Sequence, residues 1–158
     1  MITIDITEDI LVEAGKRASN MPILAGSITN GQSNTLGSVG EVLVQRVLNA
    51  EFSNTYHYDL VHDGRRIDVK TKRCDSIPQG HYDCSVAAHG SDQDCDDYVF
   101  VRVLHNMRRA WILGLIEKSE FYTKATRYTR GDVDPSNGFI FRADCYNLPI
   151  NQLKKIEA

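Results

Sequence analysis

The stretch Tyr56-His57-Tyr58-Asp59-Leu60-Val61-His62-Asp63-Gly64-Arg65-Arg66-Ile67-Asp68-Val69-Lys70-Thr71-Lys72 decides how this chain folds. Two runs of strand character, Tyr56 to Val61 and Arg66 to Lys72, flank His62-Asp63-Gly64-Arg65. An Asp-Gly pair between such runs is a strong hairpin signal, because both turn residues tolerate positive φ. A two-residue loop makes His62 face Arg65, Leu60 face Ile67 and Asp59 face Asp68. Side chains alternate along a strand, so His57 and Asp59 share one face with Asp68 and Lys70, and His57 faces Lys70. Tyr58, Leu60, Ile67 and Val69 share the opposite, apolar face.

Two carboxylates placed opposite each other, with Cβ atoms about 5 Å apart, repel by roughly 0.2–1 kcal/mol. A divalent cation that takes hard oxygen ligands, Mg²⁺ or Mn²⁺, would offset the repulsion, and Lys70 would add positive charge beside the pair. A plainer reading makes Asp59, Asp68, Lys70 and Lys72 the solvated face of an amphipathic hairpin, where charge pairs are worth little. Spacing leaves both readings open.

A third carboxylate precedes the hairpin. Val39, Val42, Leu43 and Val47 recur at helical spacing from Ser38 onward, and Val44 and Leu48 make most of the remaining circumference apolar, so a buried helix is expected with Glu41 on it. Ser38-Val39-Gly40-Glu41 also fits a capping box, in which Glu41 would return to the Ser38 amide. In the other reading Glu41 reaches the strand carboxylates through a metal or a water.

Around this centre the chain interleaves strands and helices, which argues for an α/β or α+β fold with one mixed sheet. Strands are expected at Met1 to Thr7, Asp97 to Leu104, Ala110 to Ile116 and Phe139 to Arg142. Helices are expected at Glu8 to Ser19, Glu117 to Thr126 and, capped by Asn151, Gln152 to Ile156. Residues 20–37, rich in Gly, Ser, Asn and Thr, read as a flexible loop that could set substrate choice or dimerisation.

At 158 residues the chain is sized for one domain, residues 1–158. Its 42% apolar and 25% charged residues exclude a disordered tail or a coiled-coil rod. A net charge of −3 excludes a generally basic nucleic-acid coat, so any such contact must be local. Arg65, Arg66, Lys72 and Arg73 form the expected basic stripe, with Asp92, Asp94, Asp96 and Asp97 as a solvated acidic loop. Cys74, Cys84, Cys95 and Cys145 lack paired spacing and are expected as free thiols. Asp5, Glu8, Asp9 and Glu13 spoil a membrane span or a secretory signal, so a cytoplasmic chain without a membrane partner is expected, in a host cytoplasm if the protein is viral.

Gly37-Ser38-Val39-Gly40-Glu41 on a helix, Tyr58-Asp59-Leu60 on a strand, a Gly turn, and Arg66-Ile67-Asp68-Val69-Lys70-Thr71-Lys72 on the next strand together resemble the PD-(D/E)XK nuclease superfamily. Asp97 to Arg102 and Ala110 to Ile116, followed by Phe121, look like the later core strands of its small phage and prokaryotic members. The likeness spans residues 26–150, with the motifs confined to 37–73. Tyr58 stands where the family often has proline, and Asp68 where glutamate is commoner.

The resemblance implies a restriction-endonuclease-like core, a central mixed sheet flanked by helices. It implies that Asp59, Asp68 and the Val69 carbonyl bind Mg²⁺, with Glu41 completing the shell directly or through water. Lys70 would orient and activate the attacking water. The implied activity is metal-dependent hydrolysis of DNA phosphodiesters to 5′-phosphate and 3′-hydroxyl ends, with Mn²⁺ as a substitute metal. A homodimer would bring two sites to a duplex. The rival is a catalytically inactive nucleic-acid-binding module that keeps the fold.

Overall fold

Alternating Ile2 and Ile4 open the chain as strand β1 (Ile2–Asp5), and Glu8 and Asp9 in the first turn of α1 (Glu8–Ser19) suit the positive end of a helix dipole. The computed structural model describes residues 1–20, 34–53 and 55–157. It continues with α2 (Asn34–Leu48), β2 (Glu51–Phe52), β3 (Leu60–His62), β4 (Arg65–Cys74), β5 (Asp83–Ala87), β6 (Asp97–Leu104), β7 (Arg109–Glu117), α3 (Lys118–Lys124), β8 (Thr126–Tyr128) and β9 (Cys145–Pro149). The chain is α/β, with a mixed six-stranded sheet in the order β1-β7-β6-β4-β3-β2 and a second sheet in the order β5-β9-β8. In the larger sheet β4 and β6 run parallel, which the intervening β5 and its 3₁₀ turn permit as a crossover; the other neighbours run antiparallel.

The larger sheet has two apolar faces. On one, Leu60, Ile67, Val69, Val99 and Val101 pack against Val39, Val42 and Leu43 of α2, with Ile10 and Ala14 of α1 behind them. On the other, Tyr98, Phe100, Trp111 and Leu113 pack against Phe121 of α3 and against Val86 and Leu148 of the smaller sheet. A sheet buried on both faces explains why β6 is buried along nearly its whole length instead of alternating. Among the described residues no helix is long and apolar enough to cross a membrane.

The Asp63-Gly64 turn has positive φ at both positions, 49° and 75°, and sets the pairs Leu60↔Ile67, Val61↔Arg66 and His62↔Arg65 as expected. Strand β6 also has the expected bounds, and the cysteines are free.

Several expectations do not hold. Helix α2 begins at Asn34, so residues 34–37 are helical and not loop, while residues 21–33 lie outside the described residues. Ser38 is therefore inside the helix, and the capping box is excluded. The first hairpin strand starts only at Leu60, because the ladder with β4 ends there. Phe139 to Arg142 form no strand: the only pairing there is an isolated Val133↔Ile140 bridge, and the polar loop around it leaves Phe139 and Ile140 exposed. The end of the chain makes a 3₁₀ turn, Ile150–Gln152, instead of a helix, since Lys154 bridges to Leu115 of β7. β5, β8 and β9 escaped the sequence reading, their alternation being short and interrupted by polar residues.

Candidate active site

Helix α2 approaches β4 more closely than two side-chain-bearing elements could, because Gly40 faces Thr71: a methyl group at Gly40 would overlap the Thr71 hydroxyl. That contact seats the next residue, Glu41, at the end of the β3–β4 ladder. There the backbone turns away. Asp59 donates its N–H to the Ile67 carbonyl (2.8 Å) and accepts from the Ser53 N–H (2.7 Å), so its two backbone groups bond to different neighbours. A regular strand residue directs both to one side, and this twist opens a gap beside β4.

The gap is filled by a side chain. Asp59 Oδ2 accepts the Val69 N–H at 2.7 Å, taking the place of a ladder bond. Because a strand residue's N–H and C=O share a direction, the Val69 carbonyl is presented to the same opening. Asp59 thus does not pair with Asp68 across a ladder; it sits over the end of the hairpin, hydrogen bonded to Glu41.

Asp68, only 4% exposed, holds Lys70 at 2.7 Å between Oδ2 and Nζ, and its Oδ1 accepts from Gln93 Nε2 at 3.1 Å. The Lys70 pair falls outside hydrogen-bond geometry, which leaves buried Asp68 Oδ2 without an aligned donor. Gln93 is itself buried: its Oε1 accepts from Lys70 Nζ at 2.9 Å, and its Nε2 also reaches the Tyr56 carbonyl at 2.8 Å. The structure thus brings Glu41, Asp59, Asp68 and Lys70 together from a helix, a loop and a strand.

The electrostatics follow from this crowding. Burial, with the Asp68 charge adding to it, pushes Glu41 up to about 7, although the bond from Asp59 and the positive charge of Arg17 pull the other way. Burial and the charges of Asp68 and Glu41 push Asp59 well above the usual carboxylate range, against the Val69 N–H. Burial alone would lower Lys70, but the Asp68 carboxylate outweighs it and holds the ammonium above its ordinary value, hence charged at neutral pH.

The donor set tests whether a divalent cation fits. It consists of hard oxygens, namely three carboxylates and one strand carbonyl, the ligands that Mg²⁺ and Mn²⁺ prefer. The Asp68 charge raises the pKa of both Glu41 and Asp59, and Asp68 Oδ2 has an unsatisfied lone pair. The residues fit such an ion. Among the described residues no three His, Cys, Asp or Glu side chains already converge on one point; a proton, Lys70 and Gln93 now balance the carboxylates.

The other candidates lie elsewhere. Arg65 binds Asp97 through Nε (2.6 Å) and Nη2 (2.8 Å), and Arg66 pairs with Asp94 (3.0 Å) and Asp96 (3.3 Å). The acidic run is therefore not a free solvated loop: it neutralises both arginines at the turn end of the hairpin. Lys72 and Arg73 sit at the far end of β4, so no continuous stripe forms. His57 does not face Lys70, for its Nδ1 accepts the Asp94 N–H at 2.9 Å and the residue precedes the strand. Tyr58 packs on the Tyr98 side, away from Leu60.

Gln93 was missed because its neighbours Asp92 and Asp94 made the segment read as surface; only folding brings it to Lys70. No protein-family model matches the chain, and no curated protein matches its sequence.

Proposed function

We propose that this protein is a metal-dependent nuclease that hydrolyses DNA phosphodiester bonds. Glu41, Asp59, Asp68 and the Val69 carbonyl would hold Mg²⁺, with Mn²⁺ able to replace it. The observation that carries this reading is the meeting of three carboxylates with one lysine at the frayed end of a hairpin, where burial and mutual repulsion keep two of them partly protonated. The motif resemblance and the mixed sheet with helices packed on it agree with a restriction-endonuclease-like core.

The bound metal would neutralise charge developing on the phosphate and lower the pKa of a coordinated water. The protein's own part is distinct. Because Glu41 and Asp59 are both raised, a cation held by them would displace protons from the pair near neutral pH. Lys70, already charged, stabilises the attacking oxygen and the transition state instead of acting as a base. Gln93 positions Lys70 and Asp68 by bonding to both. One chain carries one such site, so cutting both strands of a duplex would take two copies or two encounters.

The test is incubation of purified protein with supercoiled, linear, single-stranded and branched DNA, and with RNA, under Mg²⁺, Mn²⁺ or EDTA, with Asp68→Asn alongside. Metal-dependent cleavage absent from the variant is the expected result. A folded protein that binds nucleic acid without cutting any of these substrates would replace the reading with the inactive binding module.

A further inference from the structure

Beyond the carboxylate cluster, the face of β4 that carries Asp68 and Lys70 continues to Lys72. Lys72 lies beside Arg102 of the parallel strand β6, and both open into a cleft of about 800 Å³ formed with the loops that follow β4 and β8. Ligand sites commonly enclose about 300–1,000 Å³. A smaller cavity lined by Lys70, Lys72 and Arg102 lies between the cluster and the cleft. Two residues of strand separate Lys70 from Lys72, about 7 Å.

Four cations, Lys72, Arg73, Arg102 and Arg142, and three carboxylates, Asp75, Asp83 and Asp134, line the cleft. Arg102 is 8% exposed, and its one hydrogen bond goes to the Asp83 carbonyl. Among the described residues neither Arg102 nor Lys72 makes an ion pair; that is ordinary for the exposed Lys72 but not for Arg102, because buried charges are ordinarily paired. Desolvation, then repulsion by Arg102, outweighs the pull of the Asp83 carboxylate and holds the Lys72 ammonium below its ordinary value. At the mouth, Tyr82 and Phe139 line the same cleft and remain 42% and 51% exposed. Exposed rings beside unpaired cations suit a ligand with both an anionic group and a flat π-face. Nucleic-acid strands are held in this way without base-specific contacts.

We propose that this cleft takes one unstacked nucleotide of the strand bound at the carboxylate cluster, its phosphate on Lys72 and Arg102 and its base against Tyr82 and Phe139. The assignment rests on the nuclease reading of that cluster for its direction, since the row Asp68, Lys70, Lys72 then leads from the bond being cut to the neighbouring nucleotide. The ligand class is a single-stranded segment or a strand end, because a base stacked inside a duplex cannot enter.

The test measures fluorescence anisotropy of a fluorescein-labelled twelve-nucleotide oligothymidylate in EDTA, with the wild type, Lys72→Ala and Phe139→Ser. Lys72 and Phe139 are exposed, so both variants should keep the wild-type circular dichroism and Tm. Each should weaken binding about tenfold, and Lys72→Ala should also lower the salt slope by about one. Thymidine 5′-monophosphate should displace the oligonucleotide where inorganic phosphate at equal concentration does not. Unchanged binding by Lys72→Ala and Phe139→Ser would overturn the assignment. Equal displacement by inorganic phosphate would reduce the cleft to an anion site and overturn it too. If the wild type cuts nothing while both variants still lose affinity, the nuclease reading fails and the cleft assignment stands.

Discussion

Strand β4 carries two clusters of charge, one at its turn end and one midway along it, and the two are built differently. At the turn end, Arg65 and Arg66 meet Asp94, Asp96 and Asp97 in matched pairs, with the arginines 50% and 36% exposed. Those pairs hold Asp96 below the usual carboxylate range and Arg66 above its usual value. Beyond the frayed end of the ladder, Asp68 holds Lys70, and Glu41 and Asp59 are pushed upward by burial and by the Asp68 charge. Matched charges at a surface reinforce a fold by small amounts. A buried excess of one sign costs stability and persists where it serves binding or chemistry. Under the proposed function the second cluster, and not the first, carries the chemistry.

Asp68→Asn tests that contrast most severely. It should reduce Mg²⁺-dependent cleavage by ~10³-fold or more and abolish the rise in Tm on adding Mg²⁺, read in plasmid cleavage and thermal melts. Lys70→Ala should slow cleavage about 10²-fold, yet increase the stabilisation by Mg²⁺, because Asp68 then has no cation until the metal arrives. A smaller metal response in Lys70→Ala than in the wild type would show that the lysine and the ion do not substitute for one another. Gly40→Ala should cost about 1–3 kcal/mol by forcing α2 away from Thr71, and should weaken metal affinity with it, since Glu41 moves with the helix. Denaturant midpoints and a metal titration would separate the two effects.

The pH dependence differs between the clusters in sign. Glu41 rises from 4.5 to about 7, so the fold favours its protonated form; its contribution is full below about 4.5 and is lost as pH rises towards 7. Asp59 acts in the same direction. In EDTA the wild type should therefore lose several degrees of Tm, on the order of 5 °C, relative to Glu41→Gln over that range, and Mg²⁺ should remove the loss. Asp96 at the turn end has a lowered pKa, so its contribution is present above about 3.8 and disappears only in acid below that value. The smallest effect belongs to Arg66→Ala. It should leave the Tm close to that of the wild type and metal-induced stabilisation unchanged, as expected of an exposed, matched pair.

The site was partly legible in the chain. Asp63-Gly64 announced its turn, so the register at Leu60, Val61 and His62 followed, and the Asp68-Val69-Lys70 triplet stood out beside it. The place of Asp59 was not legible. Alternation assumes that a ladder continues, and nothing in Tyr56 to Asp59 says that it stops at Leu60. Helix α2 was recognised from its apolar periodicity but begun too late, because Asn34, Gly37 and Ser38 have the composition of a loop while packing holds them helical.

By itself, the sequence determined the elements whose signals are local: the turn, the hairpin register, the buried β6 and the helical run through Glu41. Those signals depend on φ preferences and on side-chain period, which neighbouring residues set. Tertiary structure alone decided that Arg65 and Arg66 are spent on Asp94, Asp96 and Asp97, that Gln93 clasps Lys70 and Asp68, and that Lys72 and Arg102 open onto a cleft. Each of these joins residues far apart in the chain, and whether a charge meets a partner, a proton or open space depends on distances that only the folded chain defines.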